Sequence, residues 1–568
     1  MLKKCLVIFK WWILLYVLMG FLLQFLTALE IKLFQELLDK VVVSNGINDV
    51  TQLIIIYGLL LVGSTILNYF IEFPQVYLSH SIVEKLKIMA LSKVSRIDYR
   101  SYQNIGTGEM LKVIENGAAA GTNVIYSFYL RVFHELLPTI IFSLFFISFY
   151  NVRIMLVIAG GYIVIFFLTQ VLLRFLYRIK TSLLESQESM SKYSIRGFME
   201  LVIFRINKVY DYEIKRLNDT ASDIIKKSSQ IRMIHESFFG IFALLVNVIK
   251  VIVLIYGMKN ILSGETSIGV LVALIMFIDK VYMPVAIFNV LYVDYKLNRV
   301  TYRRFEDFLS APEDKNLELG KEITRIKGKI EFKNVNYDYG NTRLLNNVSF
   351  SVHQGMSVAI VGLSGSGKST IIKLLLGLLK KRSGNIFVDG MDIDEIKLSS
   401  LYDHVSYISQ ESPIFDTTIR NNIVFDNSVL DERLYDILEK VELKEKVLSF
   451  SEKLDTMVGE RGMKLSGGER QRLAFGRIIA QQRELVILDE PVSALDNMTE
   501  KSIMDRFLNI NRGRTLIVIT HRLNFIKDLD KILLVKDGEI IDEGDFEYLL
   551  ENNTYFQELW NKDDSDET

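Results

Sequence analysis

Six long apolar stretches occupy the first half of the chain, at about 11–29, 53–73, 136–150, 154–175, 238–258 and 268–290. Stretches of roughly 20 apolar residues match the hydrocarbon thickness of a bilayer when they are helical. The pattern therefore predicts six membrane-crossing helices. The third stretch is short, and its helix is expected to begin well before His134. Two polar connectors, about 74–135 and 176–237, keep a helical spacing of apolar positions, with Pro74 and Pro138 at or beyond the limits of the first. They are expected to carry the membrane helices out into the aqueous phase and back.

Basic residues set the orientation. Lys3, Lys4 and Lys10, then Lys85, Lys87, Lys93, Arg96 and Arg100, then Arg174, Arg178 and Lys180, then Lys226, Lys227 and Arg232, and finally Lys296, Arg299, Arg303 and Arg304 all fall on one side. The connectors assigned to the other side are short and nearly free of Lys and Arg, with Arg153 and Lys259 as exceptions. The excess of Lys and Arg on cytoplasmic segments places both termini and both long connectors in the cytoplasm, in a bacterial cytoplasmic membrane. The lysines before the first apolar run also suit a signal peptide, but that run continues past Leu22 without a small-residue cleavage site.

The pattern changes after residue 304. Residues 305–328 are polar, include Pro312 and read as a linker. From Lys329 to about 555, short β-rich runs alternate with helical ones, which predicts an α/β domain. The acidic end of the chain, 556–568, is expected to be a disordered tail.

Composition agrees with this division. Of 568 residues, 50% are hydrophobic, and the mean hydropathy is +0.25. The formal net charge is −1 with a pI near 6.7, so no global field favours nucleic acid as a partner. Cys5 is the only cysteine, which excludes intramolecular disulfides and multi-cysteine metal sites.

Three motifs carry chemistry. GLSGSGKST, Gly362–Thr370, follows the apolar run SVAIVG and precedes IIKLLLGLL. It fits the phosphate-binding loop pattern in its required strand–loop–helix setting. Gly362, Gly365 and Gly367 let backbone amides of the loop, with Ser364, Ser366 and Thr370, turn toward an anion at a helix N-terminus. Lys368 is placed for the β- and γ-phosphates of ATP, and the Ser369 hydroxyl for Mg²⁺. A second apolar run, LVILDEP, ends in Asp489 and Glu490. The first acid suits Mg²⁺ and the second suits a general base polarising the attacking water. The plain alternative is a carboxylate capping the next helix. The third motif, LSGGERQR, places Ser466, Gly467 and Gly468 at the opening of a helix, a second anion site on the same domain. One nucleotide needs one phosphate loop, so the second site suggests a nucleotide held by another copy.

From about 330 to 550 the chain resembles the ATP-binding domain of ABC transporters, and as a whole it is similar to an exporter-type half-transporter. The resemblance rests on motifs in family order: Tyr339 in VNYDY, the phosphate loop, Gln410 in YISQ, TMVGERG at 456–462, LSGGERQR, Asp489 and Glu490, Asp496 closing SALD, and His521 in VITHR. It implies that Tyr339 stacks on adenine, and that Gln410 senses Mg²⁺ and water. It further implies that Ser466, Gly467 and Gly468 bind the γ-phosphate across a dimer, that His521 orients the water, and that Asp496 links the two sites. One departure is that Pro491 and Val492 follow the catalytic acid, where exporters carry a small apolar residue. SYQNIGTGEML (101–111) resembles the first coupling segment, and FRINKVYDYE (204–213) stands where the second belongs.

The resemblance implies a second half-transporter as partner, a homodimer being favoured because every motif is present in this one chain. The expected cargo is a peptide, lipid or hydrophobic small molecule, with peptide preferred. Lys250 and Asp279 each lie about 12 residues into a span, roughly 18 Å deep at 1.5 Å per residue. They are expected to face the bundle interior, either paired or lining the cargo path.

Overall fold

The computed structural model describes residues 2–43, 48–199, 201–340, 342–410, 413–424, 429–459, 462, 464–491, 497–523 and 525–565. Contacts divide the chain into two units: Met1–Ser95 with Ile105–Ala311, and Arg96–Asn104 with Pro312–Thr568.

The first unit is helical. Among the described residues, five helices are long and apolar enough to cross a membrane: Lys10–Val42, Val50–Val94, Gly108–Tyr150, Tyr210–Leu262 and Ile268–Ser310. The remaining expected span, 154–175, lies within the helix Val152–Met199. The spans extend beyond bilayer length and meet at turns flanking the short helices Tyr99–Ile105 and Leu201–Ile206, as the polar connectors predicted.

The third span does begin far upstream of His134, and it departs from α-helix on the way. Asn123–Leu130 and Val132–Leu136 are π-helical turns. Pro138 has no N–H for the His134 carbonyl, which removes one α-type bond from the second of these turns. His134 uses the space to stack on Tyr16 of the first span, with ring centroids 3.8 Å apart and planes within 3°, and its Nδ1 lies 2.7 Å from the Tyr16 carbonyl. Gly20 is required there, because a Cβ would lie 2.3 Å from the His134 ring.

The sixth span forms the centre of this unit. Phe277, Ile278, Val281 and Tyr282 are fully enclosed in its core. Ser267 caps its start by accepting from the Val270 N–H at 3.2 Å. Asp39, at the end of the first span, accepts from the Ser267 hydroxyl at 2.8 Å and the Gly269 N–H at 2.9 Å, tying the two helix ends together.

The linker expected from residue 305 starts later. The sixth helix runs to Ser310, because Phe305 and Phe308 are buried. Phe305 and Tyr302 pack onto Gly117 and Gly121 of the third span, where a Cβ would approach within 2.4 and 2.7 Å. Burying each such ring is worth about 1.5–3 kcal/mol, enough to hold the chain in the helix. At the other end of the expected linker, Ile323 and Ile326 already belong to the core of the second unit.

The second unit holds two sheets. One is antiparallel, in the order β2-β1-β4-β5, formed by β1 (Ile330–Tyr339), β2 (Thr342–Val352), β4 (Ser383–Val388) and β5 (Met391–Asp392). The other has six strands in the order β10-β9-β3-β8-β7-β6. Its members are β3 (Ser357–Val361), β6 (Val405–Ile408), β7 (Leu485–Asp489), β8 (Thr515–Ile519), β9 (Lys531–Lys536) and β10 (Glu539–Gly544). The central strands are apolar on both faces, as parallel strands covered on both sides must be. Ala359, Val361, Val486 and Leu488 enter one core, and Val358, Ile360, Leu485 and Ile487 the other.

The expected disordered tail is instead helical over Thr554–Ser565. Phe556 is fully buried, and Trp560 sits edge-on to Phe546 at 5.1 Å, so an apolar stripe anchors the acidic segment.

Candidate functional site: a phosphate cradle at the sheet's edge

Four adjacent parallel strands, β3, β8, β7 and β6, end on one side of the sheet, and each delivers part of the site. Ligands of open α/β sheets bind at such carboxyl ends. β3 runs into Gly362 and the loop that opens the helix Lys368–Leu375. β7 ends in Asp489, opposite Ile519 of β8, and His521 follows two residues later. Gln410 lies two residues past β6.

The loop is a cradle rather than packed protein. Gly365 and Gly367 have φ of 83° and 105°, a region that side chains avoid, and a Cβ on Gly367 would press against Leu345 at 2.6 Å. Lys368 is buried, and its Nζ donates to the carbonyls of Gly362 and Leu363, both at 2.9 Å. Burial pushes its ammonium below the ordinary lysine value, against the pull of Glu490 and Asp489. The buried Ser366 hydroxyl finds no hydrogen-bond partner among the described residues. A concave loop holding a desolvated cation and an unsatisfied hydroxyl fits an anion of phosphate type. Ser364 is exposed on the loop, and Thr370 lies in the first turn of the helix.

Ser369 donates to Asp489 at 3.2 Å. Two hard oxygens so placed suit Mg²⁺, which takes few protein ligands and completes its shell with water and phosphate. Bound there, Mg²⁺ would neutralise charge developing on the phosphate oxygens. Burial raises the Asp489 carboxyl above the usual aspartate range, with the Ser369 hydrogen bond opposing. A raised value means that the proton is held to a higher pH, and the metal requires the carboxylate. The Mg²⁺-dependent part of ATP binding is therefore expected to weaken on acidification earlier than an ordinary aspartate would allow. Titrations of nucleotide with and without Mg²⁺ across pH test this. An unchanged acid limb in Asp489→Asn would contradict it.

Glu490 is drawn between the other two candidates. Gln410 Nε2 donates to its Oε2 at 2.7 Å, and His521 Nδ1 stands 3.6 Å from its Oε1. The Glu490 backbone has φ 50°, an uncommon conformation for a non-glycine residue and one that clusters at functional sites. Its N–H bonds the Ile519 carbonyl at 2.9 Å, so the turn is fixed to β8.

Ser466 caps the helix Gly467–Gln481 in a reciprocal box. Its hydroxyl accepts from the Glu469 N–H at 3.3 Å, and Glu469 Oε2 accepts from the Ser466 N–H at 2.7 Å. Gly467 and Gly468 form the half-buried first turn behind the exposed Ser466, so the helix end expected to be an anion site is well formed. Asp496 lies outside the described residues, as do Glu460 and Arg461 of TMVGERG.

Two features were not foreseen. Tyr339 is 57% exposed at the end of β1, and the Arg100 guanidinium stands 5.9 Å over its ring. The neighbouring Tyr99 ring faces Lys373 at 5.9 Å. Residues just ahead of 101–111 thus reach the expected adenine shelf, which only a folded structure reveals. Tyr407 in β6 is the second: burial, reinforced by the Asp489 charge, pushes its phenol up. Within the first unit, Lys250 and Asp279 form an ion pair of 2.6 Å between the fifth and sixth spans.

Residues 13–285 match the ABC transporter transmembrane region, and residues 345–493 match the ABC transporter family. The chain belongs to the ABC transporters, of the half-transporter type in which a membrane region and an ATP-binding cassette are fused. It is 30% identical over 487 residues to ATP-binding cassette sub-family B member 6 of Mesocricetus auratus, covering 84% of this chain and 57% of that protein. It is 28% identical over 490 residues to the mitochondrial ABC transporter B family member 24 of Arabidopsis thaliana, covering 84% and 71%. The chain thus spans little more than half the length of the sub-family B member 6 proteins it matches. Its fold matches that of a bacterial Atm1-family ABC exporter with ATP bound, at a TM-score of 0.85 and 22% identity, over 98% of this chain and 99% of that one.

Proposed function

We propose that this chain hydrolyses ATP to drive export across a membrane, as a homodimer with two ATP bound at composite sites. The observation that carries the reading is the meeting of Glu490 with Gln410 and His521 beside the Lys368 cradle, in a chain that also holds, among the described residues, five helices long and apolar enough to cross a membrane. Each ATP would lie on the Gly362–Thr370 loop of one copy and under Ser466, Gly467 and Gly468 of the other. Lys368 holds the phosphates, Glu490 takes the proton of the attacking water, and His521 and Gln410 keep that carboxylate aimed. Asp496 would connect the two sites. Closure on ATP turns the membrane helices outward, and hydrolysis resets them. The basic connectors support a cytoplasmic ATPase domain in a bacterial membrane. A peptide is the preferred cargo, ahead of a lipid or hydrophobic small molecule, by analogy with compact half-transporters. An ATP-gated channel or a regulatory subunit is the alternative, and the intact Glu490 arrangement speaks against both.

The test is transport in reconstituted vesicles. Accumulation of cargo that needs hydrolysable ATP supports export, and a current without accumulation supports a channel. Lys250 and Asp279 enter the same assay. An intramembrane charge facing lipid costs at least about 2.5 kcal/mol, so neutralising one partner leaves the other exposed to that cost. Lys250→Met and Asp279→Asn are expected to lower thermal stability and to depress accumulation more than basal hydrolysis. The double variant should recover stability. If it also recovers accumulation, the pair orients two helices and does not line the path.

A further inference from the structure

The nucleotide site described above has one flat face for the base, the exposed ring of Tyr339. A second flat group stands over it. Residues Arg96–Asn104 belong to the second unit, although the chain reaches them between the second and third spans. Backbone bonds hold them there. The Asp98 N–H donates to the Pro312 carbonyl at 3.1 Å, and the Asp314 N–H donates to the Arg96 carbonyl at 2.9 Å. Asp98 also caps the helix Tyr99–Ile105, its Oδ1 accepting from the Ser101 N–H at 3.0 Å. The cap fixes the first turn, which carries Tyr99 and Arg100. The Lys373 ammonium lies 5.9 Å over the Tyr99 ring, which ties this turn to the helix that follows the phosphate loop. Arg100 is exposed, and among the described residues no carboxylate stands within 4 Å of it. Its guanidinium carbon lies 5.9 Å from the centre of the Tyr339 ring. Arg100 is also the charge that opposes the burial-raised phenol of Tyr337, two residues earlier on β1.

The spacing discriminates between two roles. An arginine in direct contact with a ring comes closer: in the same chain Arg216 lies 4.0 Å from the Tyr193 ring. Arg100 stands well off its ring by comparison, at 5.9 Å. A flat base between two flat groups needs two contacts of about 3.5 Å each, roughly 7 Å in all. The gap over Tyr339 falls short of that by only about 1 Å. An exposed arginine stem yields such a distance by changing rotamer. Nucleobases stack both on aromatic rings and on guanidinium planes, so the two groups suit the same base.

We infer that Arg100 is the second wall of the base slot, so that the adenine of ATP lies between the Tyr339 ring and the Arg100 guanidinium. The inference rests on the ATP-hydrolysing reading and adds to it a binding residue from outside the cassette. It makes the segment between the second and third spans a reader of base occupancy. ATP engages that segment through its base, whereas a bare chain of phosphates does not.

The experiment uses the full chain in nanodiscs with EDTA present, which withholds the metal needed for turnover. Displacement of a ribose-labelled ATP gives the affinities of two competitors, ATP and inorganic tripolyphosphate, of which the second has no base. Arg100→Ala should weaken ATP about tenfold, within the range of one base stack, and leave tripolyphosphate unchanged. Arg100→Phe restores a flat face without the charge and should bring ATP back to within a few-fold of the parent. A structural role alone would lower both competitors together and would not be rescued by Phe. Equal ATP affinity in the parent and Arg100→Ala overturns the inference. So does tighter ATP binding by Arg100→Ala, which would mean that the guanidinium occupies the shelf and competes with the base. Parallel loss of ATP and tripolyphosphate overturns it as well, because the charge would then act on the phosphates. Arg100→Phe as weak as Arg100→Ala removes stacking as the cause and overturns it too. A parent that binds ATP with this Arg100 dependence, yet hydrolyses none when Mg²⁺ is restored, would refute the exporter reading and leave the slot standing.

Discussion

Glu490→Gln is expected to bind ATP as the parent does and to hydrolyse it about 10²-fold or more slowly, the scale of a lost general base. The substitution keeps shape and removes only the charge that accepts a proton. Gln410 addresses Oε2 at 2.7 Å and His521 faces Oε1 at 3.6 Å, and the amide keeps one of these two oxygens while replacing the other by an NH₂ group. Neither the cradle nor Lys368 is touched, so nucleotide affinity should be retained and the ATP-bound dimer should accumulate. Single-turnover hydrolysis, with nucleotide retained on the protein after rapid filtration, measures both halves of the expectation. Turnover within a few-fold of the parent would remove Glu490 from the base's role.

The second large effect concerns the proposed division of each site between two copies. Lys368→Ala removes the cation of the cradle, and Ser466→Arg blocks the helix end that would close over the phosphate. Each variant alone should lose ATP occlusion by about 10²-fold or more, as charge-assisted phosphate contacts of this kind contribute several kcal/mol. A mixed dimer behaves differently. The cradle of the Ser466→Arg chain then faces the intact helix end of the Lys368→Ala chain, so one whole site is rebuilt. Mixed dimers isolated through two different tags should occlude one nucleotide each. Mixed dimers that occlude none, from variants that fold as judged by their melting temperatures, would show that the sites are not shared.

Much of this site is local and therefore legible in the sequence. The phosphate loop, the acids ending an apolar strand and the Gly pair opening a helix are each short, and each declares its own backbone. Both-face burial of β3, β7 and β8 follows from their near-continuous apolar runs, SVAIV, LVILD and TLIVI. What escaped was non-local. The Arg100 contact on Tyr339 joins residues 239 positions apart, and no periodicity encodes it. The tail misled because charge dominates its composition, while Phe556 and Trp560, four apart on one helix face, decide its structure. The helix past residue 304 was hidden for a similar reason: Arg303, Arg304, Glu306 and Asp307 surround Phe305, which finds Gly117 on another span, and the buried Phe308.

The hydrogen bonds of Lys368 to two loop carbonyls bear on the economy of the transport cycle. Two of its three N–H donors are held by the loop itself. Arrival of a phosphate is then an exchange of partners rather than the filling of a vacancy, and departure of product is the reverse exchange. The difference between the two states is small compared with the strength of either. Such a cradle favours moderate affinity and ready release, which would suit the ATP-driven export proposed for this chain.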